Sequence, residues 1–146
     1  MDDIVLSHLV SIHSKLWLSG KDESQQTKLA QLITKNWQER VVANDMNRYK
    51  SEFLINTEKK FKSNKIDLVD LQEKIAYELK VSPNNPHHEF YRDVFKILYA
   101  NSLNKIKFNK LIFCCPKVAI DKLGDLGSFV ASNKNNLKIK IELFGI

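Results

Sequence analysis

Over the first fifty residues apolar side chains recur at steps of three and four. Val5, Leu9, Ile12 and Leu16 form one stripe that ends by Gly20, and Leu29, Leu32, Ile33 and Trp37 form a second. This spacing places each set on one side of an α-helix. The second helix is predicted to run from near Ser24 to about Tyr49, with the polar Gly20 to Gln26 stretch as a loop. The period then changes to two: Phe53, Ile55, Thr57, Lys59 and Phe61 alternate with Leu54, Asn56, Glu58 and Lys60. Lys65 to Leu71 and Lys74 to Val81 are further short runs rich in Ile, Val, Leu and Tyr. The three runs read as an antiparallel meander, ended by Pro83, Asn84, Asn85 and Pro86.

His88 to Leu103 returns to helical spacing, with Tyr91, Phe95, Leu98 and Tyr99 on the side expected to enter the core. Lys110 to Cys115 is a short apolar run, the mark of a strand covered on both faces. Val118 to Ala131 reads as a weak helix interrupted by Gly124 and Gly127, and Leu137 to Phe144 as a last alternating strand. This order predicts an α/β fold: a central mixed β-sheet, an antiparallel meander plus βα crossovers, flanked by helices.

A chain of 146 residues accommodates one domain, residues 1–146, with a helical part at 1–50 and an α/β core at 51–146. With 43% hydrophobic and 27% charged residues, fibrous and wholly disordered classes are excluded. The net charge of +6 is unevenly placed: Leu103 to Lys140 holds eight Lys against two Asp, so the whole excess lies in the last third. A polyanion such as nucleic acid is the first partner this suggests, and a plain solubilising surface the alternative. Cys114 and Cys115 are adjacent and without other cysteines, which offers no disulfide framework and points to a reducing compartment. The start Met1-Asp2-Asp3 lacks the positive charge of a secretion signal, and no apolar run reaches membrane-spanning length. A cytoplasmic protein away from the membrane is expected.

The chemistry concentrates between Lys65 and Lys80. If Gln72 and Glu73 form the turn, Asp67 lies across from Glu78 and Lys65 across from Lys80. Directly opposed residues share a face, with Cβ atoms about 5 Å apart. Two carboxylates so placed repel each other unless a positive charge sits between them. Mg²⁺ suits this, since it takes one or two carboxylates and completes its shell with water and phosphate oxygens. Lys80, two residues from Glu78, would stand beside the metal-bound water. Such a constellation is suited to phosphodiester hydrolysis. Glu58-Lys59-Lys60 repeats the Glu-x-Lys spacing without this context, and an exposed charged sheet face, with Lys65 and Lys80 compensating Asp67 and Glu78, is the competing reading.

Ile66-Asp67-Leu68-Val69 followed by Ala76-Tyr77-Glu78-Leu79-Lys80-Val81 resembles the PD-(D/E)XK nuclease superfamily. The likeness covers Phe53 to Cys115, and the expected order of elements is similar to that family's restriction-endonuclease-like core. It implies a Mg²⁺-dependent endonuclease, with Mn²⁺ able to substitute, acting on double-stranded DNA. It also implies that Asp67, Glu78 and the Leu79 carbonyl hold the metal while Lys80 orients or activates water. Ile66 stands where the family's motif has its Pro. Members often add an acidic residue from the preceding helix; Glu39 is the candidate, with Glu52 and Glu58 as rivals.

Lys59, Lys60, Lys62 and Lys65 on one side, and Lys105, Lys107 and Lys110 on the other, could flank a groove, with Arg92 and Lys96 as a basic helix edge. His87 and His88 could contact phosphate, or simply open a helix beside Glu89. Cutting two strands favours a homodimer, for which the first helix pair is the candidate surface. Two other function classes compete: a non-catalytic nucleic-acid-binding module on the same scaffold, and an interaction protein that binds an acidic partner through its basic last third.

Overall fold

The computed structural model describes residues 3–17, 23–55, 65–103, 106–125, 128–129 and 137–146. Helix α1 (Ile4–Leu16) starts where the Asp3 carboxylate accepts hydrogen bonds from the amides of Val5 and Leu6, at 2.9 and 3.2 Å. This cap satisfies two amides that the first turn leaves without partners. Val5, Leu9 and Ile12 pack against Ile33, Trp37 and Val41 of α2 (Glu23–Asn44), and the Trp37 Nε1–H donates to the Val5 carbonyl at 3.0 Å.

Helix α2 stops short of the Tyr49 end that periodicity alone suggests. The Asp45 side chain accepts from the amides of Asn47 and Arg48, both at 3.1 Å, and this local turn competes with another helical turn. Tyr49 instead opens strand β1 (Tyr49–Leu54), four residues before the expected Phe53; the remainder of that expected strand, residues 56–61, lies outside the described residues. Strands β2 (Lys65–Asp70) and β3 (Ile75–Leu79) follow, then α3 (Pro86–Ser102), β4 (Lys110–Cys115), α4 (Lys117–Leu123) and β5 (Lys140–Gly145). Gly124 closes α4 with a φ of +54° that other residues adopt only under strain, the interruption expected at this glycine.

The five strands form one mixed sheet in chain order. β1, β2 and β3 pair antiparallel, and β3, β4 and β5 parallel. The tight β2–β3 turn is held by the Asp70 carboxylate, which accepts from the amides of Gln72 and Glu73. It sets Asp70 opposite Ile75 and Leu68 opposite Tyr77, the register expected from the turn position.

Helices cover both faces. α1 and α2 pack over Leu68, Tyr77, Ile112 and Cys114, while α3 and α4 pack over Val69, Ala76, Leu111, Phe113 and Cys115. The adjacent cysteines therefore enter separate cores, as strand alternation requires, and both are buried free thiols. α3 is turned differently from the expectation. Phe90, Ile97 and Ala100 are buried together with Asp93 and Lys96, whereas Tyr91, Phe95 and Tyr99 face outward. No described helix is long and apolar enough to cross a membrane.

Candidate active site

The β2–β3 ladder runs to the Leu68–Tyr77 pair, and just beyond it Asp67 and Glu78 line one cavity with Lys96 of α3. The Leu79 amide donates to Asp67 Oδ2 at 2.9 Å, and the Asp67 amide donates to Glu78 Oε1 at 3.4 Å. Each carboxylate is thus aimed by the backbone of the neighbouring strand. The ladder from β1 breaks at the same level: pairing passes from Ser51–Leu68 to Phe53–Ile66, and Glu52 between them has φ +47°. That conformation costs a non-glycine residue on the order of 1–2 kcal/mol. Gln38 of α2 ties the break down, its Nε2 donating to the Asp67 carbonyl at 2.8 Å and to Glu52 Oε1 at 3.3 Å.

From the other side α3 inserts Asp93 and Lys96. Lys96 Nζ lies 2.9 Å from Glu78 Oε1, 3.3 Å from Asp93 Oδ1 and 2.8 Å from the Lys65 carbonyl. Lys96 is only 8% exposed, and Glu78 and Asp93 are as deeply buried. This corrects the reading of Lys96 as a solvent-facing DNA contact: three oxygen partners hold its ammonium inside. Arg92 remains on the surface, with Nε 3.4 Å from Asp93. A cavity of about 210 Å³ opens among Glu52, Lys65, Asp67, Glu78, Leu79, Arg92 and Lys96. On its far side Glu52, Asp67 and Leu79 border a second hollow of about 360 Å³, which reaches Thr34, Lys35 and Gln38 of α2.

The electrostatics follow from crowding and burial. Burial pushes the Asp67 carboxyl up to about 6, against the pull of the Leu79 amide. Glu78 is held well above the usual carboxylate range by burial and by the charge of Asp67. Burial also raises Asp93. For Lys96 burial pulls downward, but Glu78 and Asp93 outweigh it and the net shift is upward, so this amine stays an ammonium. Three carboxyl groups, Glu52, Asp67 and Glu78, line the cavity together with three cations, Lys65, Arg92 and Lys96. Asp93 pairs with Lys96 and Arg92 beside it.

The other expected residues are placed as follows. Lys80 sits on the Glu78 side of β3, but its Nζ pairs with Glu89 of α3 at 3.4 Å and does not line the cavity. Glu39 faces solvent and pairs with Lys35 at 3.9 Å, so the helix ligand expected there is displaced: Gln38 holds the site-facing position and Glu52 brings the additional carboxylate. Lys65 lies at the cavity edge with its side chain exposed. Lys110 begins β4 opposite Ile75, about 10 Å of strand from the level of Glu78, and pairs with Glu142 at 3.5 Å; it does not flank the site. Lys107 is exposed. Lys59, Lys60, Lys62 and Lys105 lie outside the described residues. Asp93 and Gln38 were not anticipated. The available signal for Asp93 and Lys96 is their shared stripe with Phe90, Ile97 and Ala100.

Mg²⁺ requires hard oxygen donors and accepts as few as two carboxylates. Asp67 and Glu78 meet that requirement, with Leu79 between them on the cavity wall. Among the described residues no group of three or more His, Cys, Asp or Glu is arranged to hold a metal ion by itself. No family model, curated protein or solved structure matches the chain.

Proposed function

We propose that this protein is a Mg²⁺-dependent nuclease with a restriction-endonuclease-like core that hydrolyses phosphodiester bonds, with DNA as the substrate. The observation that supports this reading is the convergence of Asp67 and Glu78 on one cavity, each carboxylate accepting a hydrogen bond from the backbone of the neighbouring strand. Asp67, Glu78 and the Leu79 carbonyl would hold the ion. When bound, it supplies positive charge to the phosphoryl oxygens and lowers the pKa of its water. The chain's own groups have separate tasks. The Leu79 amide fixes the direction of Asp67, and Lys96 donates to Glu78 and orients it. Arg92, at the open rim, neutralises an incoming phosphate. Lys80 is the residue that would orient the attacking water, once released from Glu89.

A second reading has its own support. Lys96 already balances Glu78 at 2.9 Å, which is how a closed, non-catalytic nucleic-acid-binding module would treat an acidic pair. One experiment separates the two. Cleavage of supercoiled plasmid and of labelled oligonucleotides is followed in Mg²⁺ and in EDTA, alongside Mn²⁺ binding measured by electron paramagnetic resonance. The nuclease reading requires metal-dependent cleavage and Mn²⁺ binding, both lost in Asp67→Asn and Glu78→Gln. Nucleic-acid binding without either signal supports the second.

A further inference from the structure

The aromatic residues of α3 that face outward form a column. Tyr91 is 54% exposed, Phe95 71% and Tyr99 37%, and residues four apart stack along one side of a helix. The adjoining column holds Arg92 and Lys96, both on the cavity that contains Asp67 and Glu78. Around the helix at 3.6 residues per turn, the exposed arc runs through His87, His88, Tyr91, Arg92 and Phe95 and carries no acidic side chain. Glu89 and Asp93 lie on the inward arc, paired to Lys80 and Lys96. The His87 ring adds to the column, 6.4 Å from Tyr91.

We infer that this column is a stacking platform for the unpaired bases of a single-stranded nucleic acid, whose backbone passes Arg92 into the cavity of Asp67 and Glu78. The identity of the ligand rests on the nuclease reading; the single-strand preference is new. A duplex hides the faces of its bases, whereas a single strand offers them to exposed rings, and stacking of this kind tolerates any sequence. Rings alone would also suit a protein partner. The Arg92 guanidinium on the cavity rim and the absence of acid on the arc favour a polyanion with apolar faces. A second copy of this chain fits poorly, since a two-fold contact sets the same patch on itself and would bring Arg92 towards its own equivalent.

The test is fluorescence anisotropy in EDTA, where nothing is cut, using a labelled oligothymidylate of about 20 nucleotides and a blunt duplex of equal length. The single strand should bind at least tenfold tighter. The double variant Tyr91→Ala, Phe95→Ala should weaken that binding on the order of tenfold or more. Both side chains are exposed, so its circular dichroism should match the parent. Arg92→Ala should flatten the salt dependence, while the aromatic variant leaves that slope unchanged. Equal affinity for duplex and single strand overturns the inference, as does unchanged affinity in the aromatic variant. A double variant that alters only the sedimentation behaviour assigns the column to a contact between copies, and also overturns it. If the strand stacks but Mg²⁺ brings no cleavage, the nuclease reading falls and the platform stands; if cleavage occurs with no single-strand preference, only the platform falls.

Discussion

The ammonium of Lys96 and the carboxylate of Glu78 meet at 2.9 Å in a place nearly closed to water, with Asp93 3.3 Å from the same nitrogen. Removing one member of such a pair leaves a buried charge uncompensated, which costs about 3–5 kcal/mol. Lys96→Met should therefore lower stability by that order in urea titrations. Lys96→Met combined with Glu78→Gln should recover much of the loss. A single-variant cost below about 1 kcal/mol would show that water reaches Glu78 freely.

Asp67 carries the opposite sign. Its carboxyl is raised from 3.8 to about 6, so the folded chain holds this proton more tightly than the unfolded chain does. The ionised form costs stability, beginning as pH climbs past about 4 and complete above about 6. Asp67→Asn should accordingly be more stable than the parent at pH 8, by about 1–2 kcal/mol for this half-buried group, with the difference vanishing near pH 4. Thermal unfolding at the two pH values checks this, and a variant less stable at pH 8 would contradict it. Gained stability together with lost Mn²⁺ binding is the signature of a functional carboxylate.

The choice of a third acidic residue can be tested directly. Glu39 is exposed and pairs with Lys35, whereas Glu52 lines the cavity. Glu52→Gln should weaken Mn²⁺ binding by about tenfold. Glu39→Ala should leave Mn²⁺ binding unchanged and alter stability by less than about 0.5 kcal/mol. The reverse result would restore the helix position suggested by the sequence likeness.

His13 offers a pH test far from the cavity. Its Nε2 is enclosed without a hydrogen-bond partner among the described residues, and its ring stacks on Trp17 at 5.9 Å. Burial lowers its pKa below 6.5, so the unfolded chain takes up the proton first. Stability from this group is full above about pH 6.5 and declines as pH falls below it. His13→Phe keeps the stack and removes the titration. Its unfolding free energy should rise relative to the parent's as pH falls from 7 to 5.5.

Much of the fold is legible in local pattern. The order of elements and the pairing of Leu68 with Tyr77 follow from alternation and one tight turn, because hairpin register is a short-range property. The orientation of α3 is not. Tyr91, Phe95 and Tyr99 compete with Phe90, Ile97 and Ala100 for the inward side, and both sets keep helical spacing. Asp93 and Lys96 tip the choice, yet they can turn inward only because Glu78, on a distant strand, completes their neutralisation. Likewise Lys80 carries the expected spacing, but its partner Glu89 is fixed by how α3 docks. Long-range charge pairing leaves no periodic trace in a single chain.

The distortion at Glu52 reaches beyond the carboxylates. Among the described residues β1 is an outermost strand, and an uninterrupted border of free amides and carbonyls would be a template for foreign strands. A residue at φ +47° in the middle of that border interrupts its regular row of strand conformation. An interrupted row is a poorer template for edge-to-edge pairing.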